Sequence, residues 1–191
     1  MILQVGTSDS IYNAAAKSYG KNAALFLRMA NKSYNEVPKN ATKYTSYQDA
    51  PYSSFLQEFI TKEITNQYGY HAEDVEGYYF NSQSDIAKAM ASNSDLLAFV
   101  KKNEAKLRAG FTANSLSERM TMSFNKGDLY YAMHGAEIIS SWTDDNGKLH
   151  LIICDTYNFN LNDNGTLSRI GCAAMKDGEL VPYFAMVEVV I

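Results

Sequence analysis

Leu149-His150-Leu151-Ile152-Ile153-Cys154-Asp155-Thr156-Tyr157-Asn158-Phe159-Asn160 carries the strongest structural signal in the chain. Its first six residues are apolar on both phases of a two-residue repeat, His150 apart. That pattern predicts a strand covered on both faces. The polar end places Asp155, Tyr157 and Phe159 on one face and Thr156 and Asn158 on the other, at the mouth of a sheet. Upstream, Glu137 to Trp142 is a second strand-like run. Between the two lies Thr143-Asp144-Asp145-Asn146-Gly147, whose Asn-Gly pair predicts a hairpin. Downstream, a short helix from Leu167 to Lys176 ends near Gly178, and Tyr183 to Ile191 closes the chain as a strand.

The first half reads differently. From Ile11 to Asn31, Tyr12, Ala16, Tyr19, Ala23, Phe26, Leu27 and Ala30 recur at helical spacing, with Gly20 weakening the middle. Asn35 to Pro51 reads as a loop. Tyr52 to Tyr68 is a helix burying Phe55, Leu56, Phe59, Ile60 and Ile64, and Gly69 ends it. After the short apolar run Gly77 to Phe80, serines cap a helix over Asp85 to Ala91. Ser94 caps another over Asp95 to Arg108, with Leu96, Leu97, Val100 and Leu107 inward and Gly110 as the stop. Helices first and strands later predict an α+β fold: a helical part over residues 1–110, then a β-rich part over 111–191. The expected sheet is small, curved and antiparallel, with one short helix, and both parts form one compact unit.

The totals narrow the function classes. The chain has 191 residues, 46% hydrophobic and 20% charged, which suits a folded core rather than disorder. A net charge of −4 and the lack of a basic block argue against nucleic-acid binding. Lys101, Lys102, Lys106 and Arg108 fall in the last turns of a predicted helix, where they complement its dipole. No stretch reaches the ~18 apolar residues of a membrane span. Met1 to Ser10 has neither a basic start nor a long apolar run, so no signal peptide is expected in this sequence. Any export address would then lie on a larger parent chain. Cys154 and Cys172 lack metal spacing and read as two buried thiols, with a single disulfide between them as the alternative. The 14 tyrosines read as half-buried positions.

Chemistry concentrates at Asp155. A carboxylate at a strand end beside Tyr157 can act as a general base or hold a divalent cation; equally, Asp155 and Asn158 can cap the turn. His134, before the hairpin, can approach the same strand end and supply an imidazole. Arg169, on the short helix, can clamp a phosphate or serve as a structural pair. His150 reads as structural, and Cys154 lies in too apolar a run to be a reactive thiol. No Gly-x-Ser-x-Gly elbow, phosphate loop or zinc spacing is present.

The order Asp155-Thr156-Tyr157-Asn158-Phe159-Asn160, Leu167-Ser168-Arg169-Ile170-Gly171 and a terminal strand resembles colicin M and related lipid II-degrading bacteriocins. Their pattern is Asp-x-Tyr-Asp-Phe-Asn, then His-Arg, then Leu-Thr-Arg-Leu-Gly. Gly127-Asp128 and Gly135-Ala136 also fit that layout, so the likeness covers residues 124–191. It is similar, too, to the Asp-x-Tyr-Asp-Phe domains at the C-termini of polymorphic toxins. The resemblance implies a toxin domain that hydrolyses a lipid-linked cell-wall precursor with magnesium, is delivered to a target bacterium as part of a larger chain, and meets an immunity protein. It carries Asp155, as acid and metal ligand, and Tyr157 over directly. Asn158 stands where the family has an aspartate, and an amide cannot ionise. The His-Arg pair has no counterpart, which leaves His134 and Arg169 as helpers. A non-catalytic binding domain of the same descent is the alternative reading.

Overall fold

Among the described residues seven strands form one sheet: β1 (Ala41–Tyr44), β2 (Gly77–Phe80), β3 (Phe111–Thr112), β4 (Met120–Ser123), β5 (Gly135–Thr143), β6 (Leu149–Tyr157) and β7 (Tyr183–Val190). Their order is β1-β2-β7-β6-β5-β3, with β4 also on β5. The structure is a computed structural model and describes residues 9–158 and 172–191. β5 and β6 pair antiparallel across the Asn-Gly turn, from Thr143 opposite Leu149 to Glu137 opposite Cys154. β7 lies against β6 along its whole length, from His150 opposite Val190 to Tyr157 opposite Tyr183. The apolar strand is therefore central, as its two-sided hydrophobic pattern predicts.

The α+β class holds, with two corrections to the sheet. It is large rather than small, and it is mixed, because β2 runs parallel to β7, with Gly77 opposite Phe184 and Phe80 opposite Val187. β1 and β2 fall within residues 1–110, so the first half supplies strands as well as helices. β1 lies in the segment read as a loop. It pairs with β2 from Ala41 opposite Phe80 to Tyr44 opposite Gly77.

Helices cover both faces. Among the described residues these are α1 (Asp9–Tyr19), α2 (Lys21–Met29), α3 (Ser53–Ile60), α4 (Asn66–Tyr68), α5 (Asp85–Ala91), α6 (Ser94–Lys102), α7 (Glu104–Ala109) and α8 (Gly127–Ala132). A π-helical turn, Thr61–Thr65, joins α3 to α4. Of the predicted short helix, residues 172–176 are described and helical. One core packs Phe26, Met29, Ile86, Met90, Leu129 and Met133 against Leu149, Leu151 and Ile153 of β6 and their neighbours on the sheet. The other packs Phe55, Leu56, Phe59, Ile60 and Ile64 against Ile139, Ile152, Cys154, Phe184 and Met186. Each large apolar side chain so buried stabilises the fold by ~1.5–3 kcal/mol.

Local chemistry sets the helix ends. The helix predicted from Ile11 to Asn31 breaks at Gly20, whose φ of 116° is outside the helical range. Ser84 caps α5 as expected, accepting from the Ala87 amide at 3.2 Å. The next cap is Asn93 rather than Ser94, its side-chain oxygen accepting from Asp95 and Leu96 at 2.8 and 3.2 Å. The run predicted as one helix to Arg108 divides at Asn103 into α6 and α7, and Leu97 is 40% exposed rather than inward.

Candidate functional site

Asp155 sits near the C-terminal end of β6, opposite Ala185 of β7. By alternation it shares its phase with Ile153 and Tyr157, the side of the sheet that packs on α2. Its Oδ1 accepts from the Thr156 amide at 2.8 Å. The residue keeps some accessible surface, but its carboxyl is enclosed by protein. Burial pushes that carboxyl well above the usual carboxylate range; the charges of Glu137 and Glu63 push the same way, against the Thr156 amide. A carboxyl raised in this way keeps its proton to higher pH than an ordinary one.

Tyr157 stacks on Tyr183 with ring centres 5.4 Å apart and meets Phe26 edge-on at 6.0 Å. The Tyr183 hydroxyl donates to the Phe26 carbonyl at 2.9 Å, fixing that ring between β7 and α2. Tyr157 thus stands on a rigid aromatic base, on the same strand face as Asp155.

The other predicted residues do not gather there. Asn158 donates from Nδ2 to the Glu63 carbonyl at 2.6 Å and so ties the end of β6 to the π turn. His134 has Nδ1 3.3 Å from the Phe124 carbonyl, and its ring meets Tyr130 edge-on at 4.6 Å. Arg169 lies outside the described residues.

Three further charged groups escaped the sequence reading. Glu137 faces Cys154 in the β5–β6 register, and its Oε2 is 2.8 Å from Arg119 Nε in a half-buried ion pair. Neither atom has another partner among the described residues. Burial raises the Glu137 carboxyl, with Arg119 opposing. Glu63, on the π turn, pairs with Lys62 at 2.6 Å. Only a glutamate beside the buried run Ile138–Ser141 marked this cluster in the sequence; Arg119 and Glu63 are far from it along the chain. Cys154 is fully buried and its thiol is pushed well up by that burial, as expected for an inert thiol.

Among the described residues no group of three or more His, Cys, Asp or Glu side chains is placed to hold a metal ion. Asp155 gives one oxygen to the Thr156 amide, and Glu137 is engaged by Arg119. A cavity of about 460 Å³ lies between Gln67–Tyr70 and Met175–Gly178. Tyr68, Tyr70, Lys176 and Asp177 line it, and Asp155 does not.

No protein-family model, no curated protein and no solved structure matches the chain.

Proposed function

We propose that this chain is a bacterial toxin or effector domain of the colicin M type that hydrolyses a lipid-linked cell-wall precursor, with Asp155 as its proton donor. One observation carries the reading: a carboxyl at the end of the central strand, beside Tyr157, is driven towards its neutral form by burial. Breaking a phosphodiester to a lipid alcohol requires a proton on the departing oxygen. A neutral carboxylic acid supplies it, and water adds its hydroxyl to phosphorus and its proton to the carboxylate left behind. The acid is then regenerated, and the products are the lipid alcohol and the pyrophosphoryl headgroup. Tyr157 orients the acid. The resemblance adds magnesium, Arg169 as a phosphate clamp, an immunity protein and delivery on a larger chain; no step is routed through the metal.

A second reading has its own support. The Asn158 amide is spent on the Glu63 carbonyl, and an oxygen of Asp155 on the Thr156 amide. A domain that had lost catalysis would use its polar groups in this way and bind a partner instead. Tyr130 and Tyr131, 37% and 44% exposed, with Tyr19 4.7 Å from Tyr131, offer an aromatic surface for that.

Purified lipid II incubated with the chain, with and without magnesium, separates the two. Release of the headgroup supports the hydrolase. Retention of intact lipid II on the immobilised chain supports the binding domain, and neither outcome with folded protein removes lipid II as the ligand.

A further inference from the structure

His150 lies on β6, away from Asp155, with both ring nitrogens against carboxylates. Nδ1 is 3.0 Å from Glu188 Oε1 on β7, and Nε2 is 3.3 Å from Asp144 Oδ2 in the hairpin turn. Trp142 of β5 stacks on the ring with centres 4.8 Å apart and planes 18° apart. The Tyr79 hydroxyl of β2 donates to the other Glu188 oxygen at 3.2 Å. Asp144 also holds the turn, its Oδ1 accepting from the amides of Asn146 and Lys148, each at 2.9 Å. One imidazole therefore joins groups from four adjacent strands and the turn between two of them.

The proton count of this cluster is unusual. A neutral imidazole has one N–H and one lone pair, so it can donate to only one of two carboxylates. Its second nitrogen would then turn a lone pair toward an oxygen about 3 Å away. An imidazolium donates to both, and such charge-assisted bonds are roughly twice as strong as neutral ones. The proton does not belong on Asp144. Its carboxyl is held below the usual range, first by the Lys148 amide and then by His150 and the Asn146 amide. The surrounding charged and titratable groups are Asp144, Asp145 and Lys148 in the turn, Glu188 on β7 and Tyr79 on β2. Arg108 of α7 also reaches the turn, donating to the Gly147 carbonyl at 3.0 Å. His150, Asp144 and Glu188 have side chains 17%, 28% and 19% exposed, open enough to exchange protons with solvent.

We infer that the Asp144–His150–Glu188 cluster is a proton-operated clasp, closed by the imidazolium and loosened by the neutral ring, that fastens the β5–β6 hairpin turn to β7. Because the folded arrangement gains a hydrogen bond from the extra proton, the clasp stabilises the protein at acid pH and loses that contribution as pH rises. The inference is independent of the function proposed for Asp155.

The test compares thermal unfolding of the whole chain and of His150→Gln at about pH 5.5 and about pH 8, which bracket histidine titration. The parent exceeds the variant by about 2–4 °C more at the lower pH, the shift expected for ~1 kcal/mol in a chain of this size. Equal differences at the two pH values overturn the clasp. If His150→Gln does not fold, nitrogen-15 spectra of the parent ring decide instead. Protons on both nitrogens at the lower pH, with loss of one moving the Asp144 and Glu188 carboxyl resonances, support it. A ring that titrates without moving them refutes it.

Discussion

The carboxylate of Asp128, at the start of α8, accepts from the Ala23 amide at 2.7 Å and closes the N-terminus of α2 from 105 residues away. Its other oxygen accepts from the Asn22 amide at 3.1 Å and from the Asn22 side chain at 2.7 Å. α2 has no capping side chain of its own at Gly20, so this distant aspartate satisfies the exposed amides and places a negative charge at the positive end of the helix dipole. A Cβ on Gly20 would fall 2.4 Å from the Asp128 carboxyl. Asp128→Ala is therefore expected to lower stability by about 1–2 kcal/mol, and Asp128→Asn by less, measured by urea unfolding. Equal losses in the two variants would show that the single oxygen asparagine retains contributes nothing to the cap.

Gly77 marks the closest approach in the parallel pairing. A Cβ there would lie 2.2 Å from the Phe184 ring, which is fully buried between β2 and α3. Gly77→Ala must push β2 from β7 or drive the ring from its site, at a cost of about 1–3 kcal/mol. Denaturant midpoints measure this, and an unchanged midpoint would mean that the strands separate freely.

Asn158→Asp restores the residue type of the bacteriocin motif but removes the donor to the Glu63 carbonyl. A carboxylate set against a carbonyl oxygen loses a hydrogen bond and adds repulsion. The variant is expected to be less stable than the parent by about 1–2 kcal/mol near neutral pH. Unfolding at pH 7 checks this separately from any change in activity.

The Asp155 carboxyl is raised in the folded state, first by burial and then by Glu137 and Glu63. The folded protein consequently binds more protons than the unfolded chain above the ordinary carboxylate range. Stability from this group is fully present below that range and is lost as pH rises through the folded value. Asp155→Asn, neutral at every pH, flattens this decline. Unfolding free energies of parent and variant between about pH 4 and pH 7 should diverge in favour of the variant as pH rises; parallel curves would show an ordinary carboxylate.

Much of the fold was legible. Leu149 to Tyr157 announced a central strand because apolar residues on both phases have no other comfortable place, and Asn146-Gly147 announced its hairpin. Phe55 to Ile64 kept helical spacing well enough to survive the π turn. What stayed hidden depends on partners distant in sequence. β1 is an edge strand of half-exposed residues with no apolar alternation, and it exists because β2 is beside it. The parallel β2–β7 pair joins segments more than a hundred residues apart. At the candidate site, the Asp155–Tyr157 face was readable from alternation. The Asn158–Glu63 tie, the Arg119–Glu137 pair and the two carboxylates around His150 were not, since no local rule brings those side chains together.

Headgroup release from lipid II by the parent chain and by Asp155→Asn, both verified as folded, isolates the contribution of the Asp155 proton. Asparagine keeps the size of the side chain and an oxygen for the Thr156 amide but has no acidic proton to give. The proposal predicts release by the parent and a loss of at least about a hundredfold in the variant, the scale of a general acid's contribution. Release at equal rates by the two proteins would contradict it.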